Sequence, residues 1–207
     1  MKTINILNYG AGNILSIRRA FEKFNTDVKF IDNYKDCKNL NNLIIPGVGS
    51  FSNAIKLLKE KKFYNEILDL NNKNIPIMGI CLGMQLLFDY SEEFGHHDGL
   101  GLIKGRVIKI PEFSNNVQRK IPNIGWKNLN VTNDNSNFQN NSYVYFVHSF
   151  MCVPDNKKHI IAYTKYDSEY ICAVVEKNNI FGTQFHPEKS SDSGLEYIKY
   201  FINKSYE

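Results

Sequence analysis

Cysteine is scarce in this chain, and none of it is spaced for pairing. Cys37, Cys81, Cys152 and Cys172 stand far apart, with no C-x-x-C and no Cys/His cluster at zinc-site intervals, so neither a disulfide framework nor a metal centre is indicated. Arginine is sparse as well: nearly all of the 25 basic residues are lysine, and the formal net charge of +4 is spread along the sequence. Such a balance argues against nucleic acid as the main partner. No run of about 18 apolar residues is present to span a bilayer. The opening "MKTINILNYG" lacks the apolar stretch and small-residue cleavage site of a secretory signal, so a cytoplasmic protein away from membranes is expected.

What is present is an ordinary globular composition, 43% hydrophobic and 22% charged over 207 residues, without repeats. It fits one domain over residues 1–207. The first half alternates short apolar runs with amphipathic segments, the order of βαβ units in a mainly parallel sheet. "TINILNY" reads as a strand, "NILSIRRAFEKFN" as a helix with Ile14, Ile17, Phe21 and Phe24 on one face, and "DVKFI" and "NLIIPG" as further strands. "SFSNAIKLLKEKKFYNEILDLNNK" holds one or two helices, with Ser50 or Ser52 at the N-cap. "IPIMGI" is apolar enough for a buried central strand, and "LGMQLLFDYS" follows as a helix. The second half carries several short strand-like runs from "GLIKGRVIKI" to "IFGTQF", a polar surface loop "NDNSNFQNNS", and a closing amphipathic helix "SGLEYIKYFINK". An α/β fold with a mainly parallel central sheet and added antiparallel strands is therefore expected.

Cys81 stands between two glycines where a strand gives way to a helix. G-I-C-L-G has the form of a nucleophile elbow, a sharp turn that lifts the reactive side chain out of the sheet. Glycines are needed because neighbouring side chains would collide in so tight a turn. The helix N-terminus favours negative charge there and offers free N–H groups, Leu82's among them, to an oxyanion. Taken alone, a buried cysteine beside helix-packing glycines explains the motif equally well.

A nucleophilic cysteine needs a base, and the base an orienting group. His96, His97 and His159 lie in polar surroundings and read as solvated. His148 and His186 each follow an apolar strand. His186 is the stronger base, because "TQFHPEKS" places Glu188 two residues on, where an extended segment points it the same way. "IIPGVGSF" follows another strand, and its consecutive glycines allow N–H groups to face a ligand at the carboxyl edge of the sheet. "NYGAGN" matches half of a dinucleotide fingerprint but has Leu15 in place of the third glycine, so nucleotide binding is not expected.

Together, P-G-V-G at Pro46 to Gly49, G-I-C-L-G-M-Q at Gly79 to Gln85, H-S-F at His148 to Phe150 and H-P-E at His186 to Glu188 resemble the class I, triad-type glutamine amidotransferases. The motifs occur in the family's order along the whole chain. "YGAGN", "GLGLIKGRV", "IPNIGW" and "HPEKS" are most similar to the glutaminase subunits of histidine biosynthesis. The resemblance implies a flavodoxin-like amidotransferase fold, Cys81 as nucleophile, His186 as general base and acid, and Glu188 as its orienter. It implies oxyanion and glutamine binding by Gly47, Val48, Gly49, Leu82, Gln85, His148, Ser149 and Phe150, with no cofactor or metal.

It further implies a partner, a (β/α)8-barrel cyclase subunit that receives ammonia through a channel and makes imidazole glycerol phosphate and AICAR. Asn13, Trp126, Lys127, Tyr145 and Lys189 match positions at or near that interface, although Trp126 and Tyr145 also read as core aromatics. Asn8 replaces the family's usual Asp, and Lys127 its usual Asn. A paralogous subunit supplying ammonia for surface-sugar amidation shares this chemistry. A γ-glutamyl cysteine hydrolase and a silent scaffold are the alternatives from other classes.

Overall fold

The apolar runs of the first half fold as strands, and those at Leu43–Ile45 and Ile77–Ile80 are buried on both faces. In a computed structural model, which describes residues 1–114, 117–132 and 138–206, β1 (Lys2–Leu7), α1 (Ile14–Glu22), β2 (Thr26–Ile31) and β3 (Leu43–Ile45) come first. They are followed by α2 (Phe51–Glu60), α3 (Phe63–Asn72), β4 (Ile77–Ile80) and α4 (Leu82–Leu86). Then come β5 (Phe88–Ser91), β6 (His97–Asp98), β7 (Ile103–Lys109), β8 (Phe113–Ser114), β9 (Val117–Gln118), β10 (Asn123–Asn128) and β11 (Asn130–Val131). The chain continues through β12 (Tyr143–His148), β13 (Phe150–Pro154), β14 (Ile160–Tyr166), β15 (Glu169–Lys177) and β16 (Ile180–Thr183) to α5 (Ser191–Lys204).

One eight-stranded sheet runs β11-β14-β15-β16-β4-β3-β1-β2. Neighbours from β16 to β2 pair in parallel, and β15, β14 and β11 extend the sheet antiparallel. A second sheet, β13-β7-β5-β6, and a ribbon of β10 and β12 stand apart from it. Successive strand residues face opposite sides, and the core divides accordingly. Leu43 and Ile45 pack with Phe51, Leu58 and Phe63 of α2 and α3; Ile44 packs with Phe21 of α1 and with Tyr197 and Phe201 of α5.

Three local expectations change, and that of one or two helices over 50–73, with Ser50 or Ser52 at the N-cap, is narrowed. The first helix stops at Glu22, because Asn25 takes a left-handed φ of 57° and the Thr26 hydroxyl donates to the Phe21 carbonyl at 2.9 Å. Phe24, just past its end, still packs in the same core as Ile17 and Phe21. The 50–73 segment is two helices broken at Lys62, and Ser50 starts the first without a side-chain cap bond. Its role falls to Glu93, whose Oε2 accepts the Phe51 amide hydrogen at 2.6 Å.

The helix after Cys81 is a single turn or so, not the run to Ser91. Leu100 N donates to Leu86 O, and Leu102 N and Ile103 N to Leu87 O, so the returning chain takes the carbonyls a longer helix would need and Phe88–Ser91 becomes a strand. A wholly buried apolar run carries no period to announce this. Of the polar loop 133–142, residues 133–137 lie outside the described ones. Phe138 is buried and stacks on Tyr197 at 4.2 Å between centroids, so that end of the loop belongs to the core. Among the described residues no helix is long and apolar enough to cross a membrane, and no cluster of metal-ligating side chains occurs.

Candidate active site

Cys81 adopts φ 54° and ψ −112°, a conformation that L-residues rarely occupy and that turns the thiol out of the sheet at the end of β4. Close packing of the turn enforces this. A Cβ on Gly83 would lie 1.9 Å from the Ile45 carbonyl oxygen, so only glycine lets α4 begin against β3.

β16 lies beside β4 in parallel, with Thr183 opposite Ile80, and the Cys81 amide donates to the Thr183 carbonyl at 2.7 Å. The chain that leaves β16 therefore passes the thiol. His186 Nδ1 is 2.9 Å from Glu188 Oε1, and the same ring lies close enough to the Cys81 side chain for the two to influence each other's proton. Both carboxyl and imidazole are sealed, with Glu188 1% and His186 6% exposed by side chain. Burial is the strongest single influence on His186 and opposes its charge. The hydrogen bonds and charges of Cys81 and Glu188 together outweigh it and lift the imidazole to about 10. Backbone bonds hold this segment to β12: His186 N donates to Tyr145 O, and the Ser190 hydroxyl donates to His186 O while accepting from Tyr145 N.

Cys81 and His186 line a cleft of about 470 Å³ whose walls include Val48, Gly49, Leu82, Gln85, His148, Ser149 and Phe150, with Glu188 buried behind His186. Gln85 Nε2 donates to the Phe150 carbonyl at 3.2 Å and to Gln184 Oε1 at 3.0 Å. His148 points its Nδ1 at the Phe150 carbonyl and its Nε2 at Asn123 Nδ2, the arrangement of a neutral ring. Burial above all, with His186 nearby, depresses it to about 4 against the carbonyl's pull. Gly47 is buried behind the cleft, in contact with the Leu82–Gly83 turn.

Two residues that the sequence did not single out belong here. Gln184, fully buried, sends its Nε2 to Cys81 Sγ at 3.8 Å and so bridges Gln85 and Cys81. Its signal was a lone amide in the apolar run "IFGTQF". Glu93 lines the cleft from the β5–β6 turn, and nothing in "SEEF" distinguishes it from a surface acid.

Trp126 and Tyr145 face each other across the β10–β12 ribbon, 6.2 Å between ring centroids. Ile124, Trp126, Tyr143 and Val147 are exposed, and Val147 also lines the cleft, so an apolar face runs to its mouth. Lys127 is turned from that face, with its ammonium 4.8 Å from the Tyr166 ring centroid. Lys189 is exposed just beyond the triad, and Asn13 caps α1 by accepting the Ser16 amide hydrogen at 3.3 Å. Asn8 donates to Asp32 Oδ1 at 2.7 Å, a bond that an aspartate at this position would replace with repulsion.

Comparison with known proteins shows the family. The glutamine amidotransferase class-I family model matches residues 5–204. The chain is 42% identical to imidazole glycerol phosphate synthase subunit HisH 1 of Legionella pneumophila (strain Lens), covering 98% of this chain and 99% of that one. It is 42% identical to subunit HisH of Geobacillus sp. (strain WCH70), over 97% and 96% of the two chains, and 38% identical to that of Chlorobaculum tepidum, over 95% and 97%. A glutamine amidotransferase crystal structure superposes with a TM-score of 0.77 at 16% identity, covering 98% of each chain, which concerns the fold alone. The chain belongs to the class-I glutamine amidotransferases, and within them to the HisH glutaminase subunits.

Proposed function

We propose that this enzyme hydrolyses L-glutamine to glutamate through a thioester on Cys81 and passes the ammonia to a (β/α)8-barrel cyclase subunit, which makes imidazole glycerol phosphate and AICAR in histidine biosynthesis. The observation that carries this is the succession of Cys81, His186 and Glu188, with Cys81 and His186 lining the same cleft as Gln85 and Glu93 and Glu188 bonded to His186 behind it. The substrate class fits the walls. Glu93, held by the Phe51 amide, offers a carboxylate to the α-ammonium of an amino acid, while Gln85 and the backbone of His148 to Phe150 offer hydrogen bonds to the rest.

At rest the raised His186 holds its proton beside the Cys81 sulfur, placed to pair with the thiolate when that forms. The thiolate attacks the side-chain amide carbon, and the oxyanion is met by Leu82 N–H and a peptide of the Gly47–Gly49 segment. Acylation consumes the thiolate, and with it two of the influences that hold the imidazole's proton. The proton then goes to the departing nitrogen, ammonia leaves, and the neutral ring takes a proton from the water that cleaves the thioester. Glu188 keeps the proton of Nδ1 in place throughout. His148, held neutral, is suited to binding and not to proton transfer.

Ammonia released into water at neutral pH becomes ammonium and is no longer a nucleophile, so the product needs a covered exit. The exposed apolar face of Ile124, Trp126, Tyr143 and Val147, reaching the cleft mouth, is suited to dock the cyclase there. The enzyme would work with that partner in the cytoplasm. The test is Cys81→Ala in the complex: glutamine-dependent synthesis of AICAR should vanish while synthesis from ammonium salts survives. Persisting glutamine-dependent turnover would refute the nucleophile, and a complex that makes no AICAR from either source would refute the acceptor.

A further inference from the structure

The "NYGAGN" segment, where a dinucleotide fingerprint breaks off at Leu15, lies against the loop that follows β3. Tyr9 is fully buried, and its hydroxyl donates to the Pro46 carbonyl at 2.8 Å. On the same side Gly12, at φ +116°, comes so near that a Cβ there would lie 2.8 Å from the Pro46 Cβ. On the other side Gly47 abuts the elbow, where an added Cβ would meet Gly83 N at 2.6 Å and the Leu82 Cβ at 2.7 Å. Pro46 and Gly47 are thus clamped between the first loop and the nucleophile turn. The next two residues are free: Val48 is 49% exposed, and nothing lies within 4 Å of where a Gly49 Cβ would be.

We infer that Tyr9 is a positioning residue for catalysis, its hydroxyl holding the Pro46–Gly47 peptide so that the Gly47–Gly49 segment presents its N–H groups to the oxyanion at Cys81. The base of the loop is fixed and its tip is open, so the orientation of the tip is set at the anchor. A peptide group rotates as a rigid plane. Freeing the Pro46 carbonyl therefore turns the peptide plane that leads into the segment, and a donor aimed at a developing oxyanion loses its value with small changes in angle. The ground state, held by Gln85, Glu93 and the backbone of His148 to Phe150, does not pass through this anchor.

This rests on the roles proposed above for Cys81 and the Gly47–Gly49 segment. Tyr9→Phe keeps the ring and removes only the hydroxyl. Glutamine hydrolysis should be measured alone and in complex with the cyclase subunit, with rates expressed per cysteine titrated by rapid iodoacetamide alkylation of Cys81. The expected result is a fall in kcat of roughly fivefold or more, the scale of one hydrogen bond, with KM within about twofold and an unchanged pH profile. Normalising to titrated sites removes any loss of folded protein, which is all that a purely structural hydroxyl would cause. A kcat per site within about twofold of the parent, or a loss confined to KM, overturns the inference. Gly12→Ala, which presses on Pro46 from the same side, should reproduce the kcat-specific loss. If Cys81→Ala is inactive while Tyr9→Phe is silent, this inference fails and the nucleophile stands.

Discussion

The Cys81 amide donates to the Thr183 carbonyl at 2.7 Å, joining the turn after β4 to the neighbouring strand just before the chain turns toward His186. Cys81 and His186, the proposed catalytic pair, are 105 residues apart in sequence, yet their meeting is set by the parallel pairing of β4 and β16. Side chains then finish what the sheet begins, with Glu188 fixing His186 from the far side.

Glu188→Gln should lower kcat by about 100-fold or more, since the amide neither holds the ring in its working tautomer nor balances its charge. It should also change the pH dependence of stability. His186 has a folded pKa of about 10 against 6.5 when exposed, so its contribution is fully present below about 6.5 and is lost as pH rises through 10. The thermal stability deficit of the variant should be widest near pH 6 to 7 and close toward pH 10.

His148 carries the opposite sign. Its pKa is pushed down to about 4, chiefly by burial, so between pH 6.5 and 4 the unfolded chain binds a proton that the folded one refuses. The parent should lose stability steadily across that window. His148→Gln should lose less across the same range, as followed by thermal melts in a pH series.

Glu93→Gln should raise the KM for glutamine roughly tenfold with a smaller effect on kcat, because the carboxylate meets the non-reacting end of the substrate. Steady-state kinetics separate the two parameters. The variant should also discriminate less against a substrate analogue lacking the α-amino group.

Trp126 is half exposed and packs against Tyr145 on the apolar face. Trp126→Ala should weaken association with the cyclase by about tenfold or more while leaving the melting temperature of the isolated chain nearly unchanged. Titration calorimetry and a melt on the same preparation check both halves.

Much of this was legible in the sequence because strong local constraints mark it. The glycines around Cys81 have no cheaper explanation once Gly83 is seen against Ile45, and the apolar runs "NLIIPG" and "IPIMGI" announce buried parallel strands. Glu188 was found by its spacing from His186. What stayed hidden depends on contacts from remote chain. The end of α4 is set by amides of Leu100 to Ile103, Phe138 is drawn into the core by Tyr197, and Glu93 reaches the cleft by capping α2 forty residues before it. Lys127, which the resemblance places near the partner surface, lies by alternation along β10 on the face opposite Trp126, against Tyr166.

The account stands on acylation of Cys81 by glutamine. Acid quenching of the enzyme during turnover, followed by mass spectrometry of the intact chain and its peptides, should find one γ-glutamyl group, on the peptide carrying Cys81, and none in the Cys81→Ala variant. A γ-glutamyl group on Cys37, Cys152 or Cys172, or turnover with no acylated chain even when the deacylation step is slowed by Glu188→Gln, would contradict it.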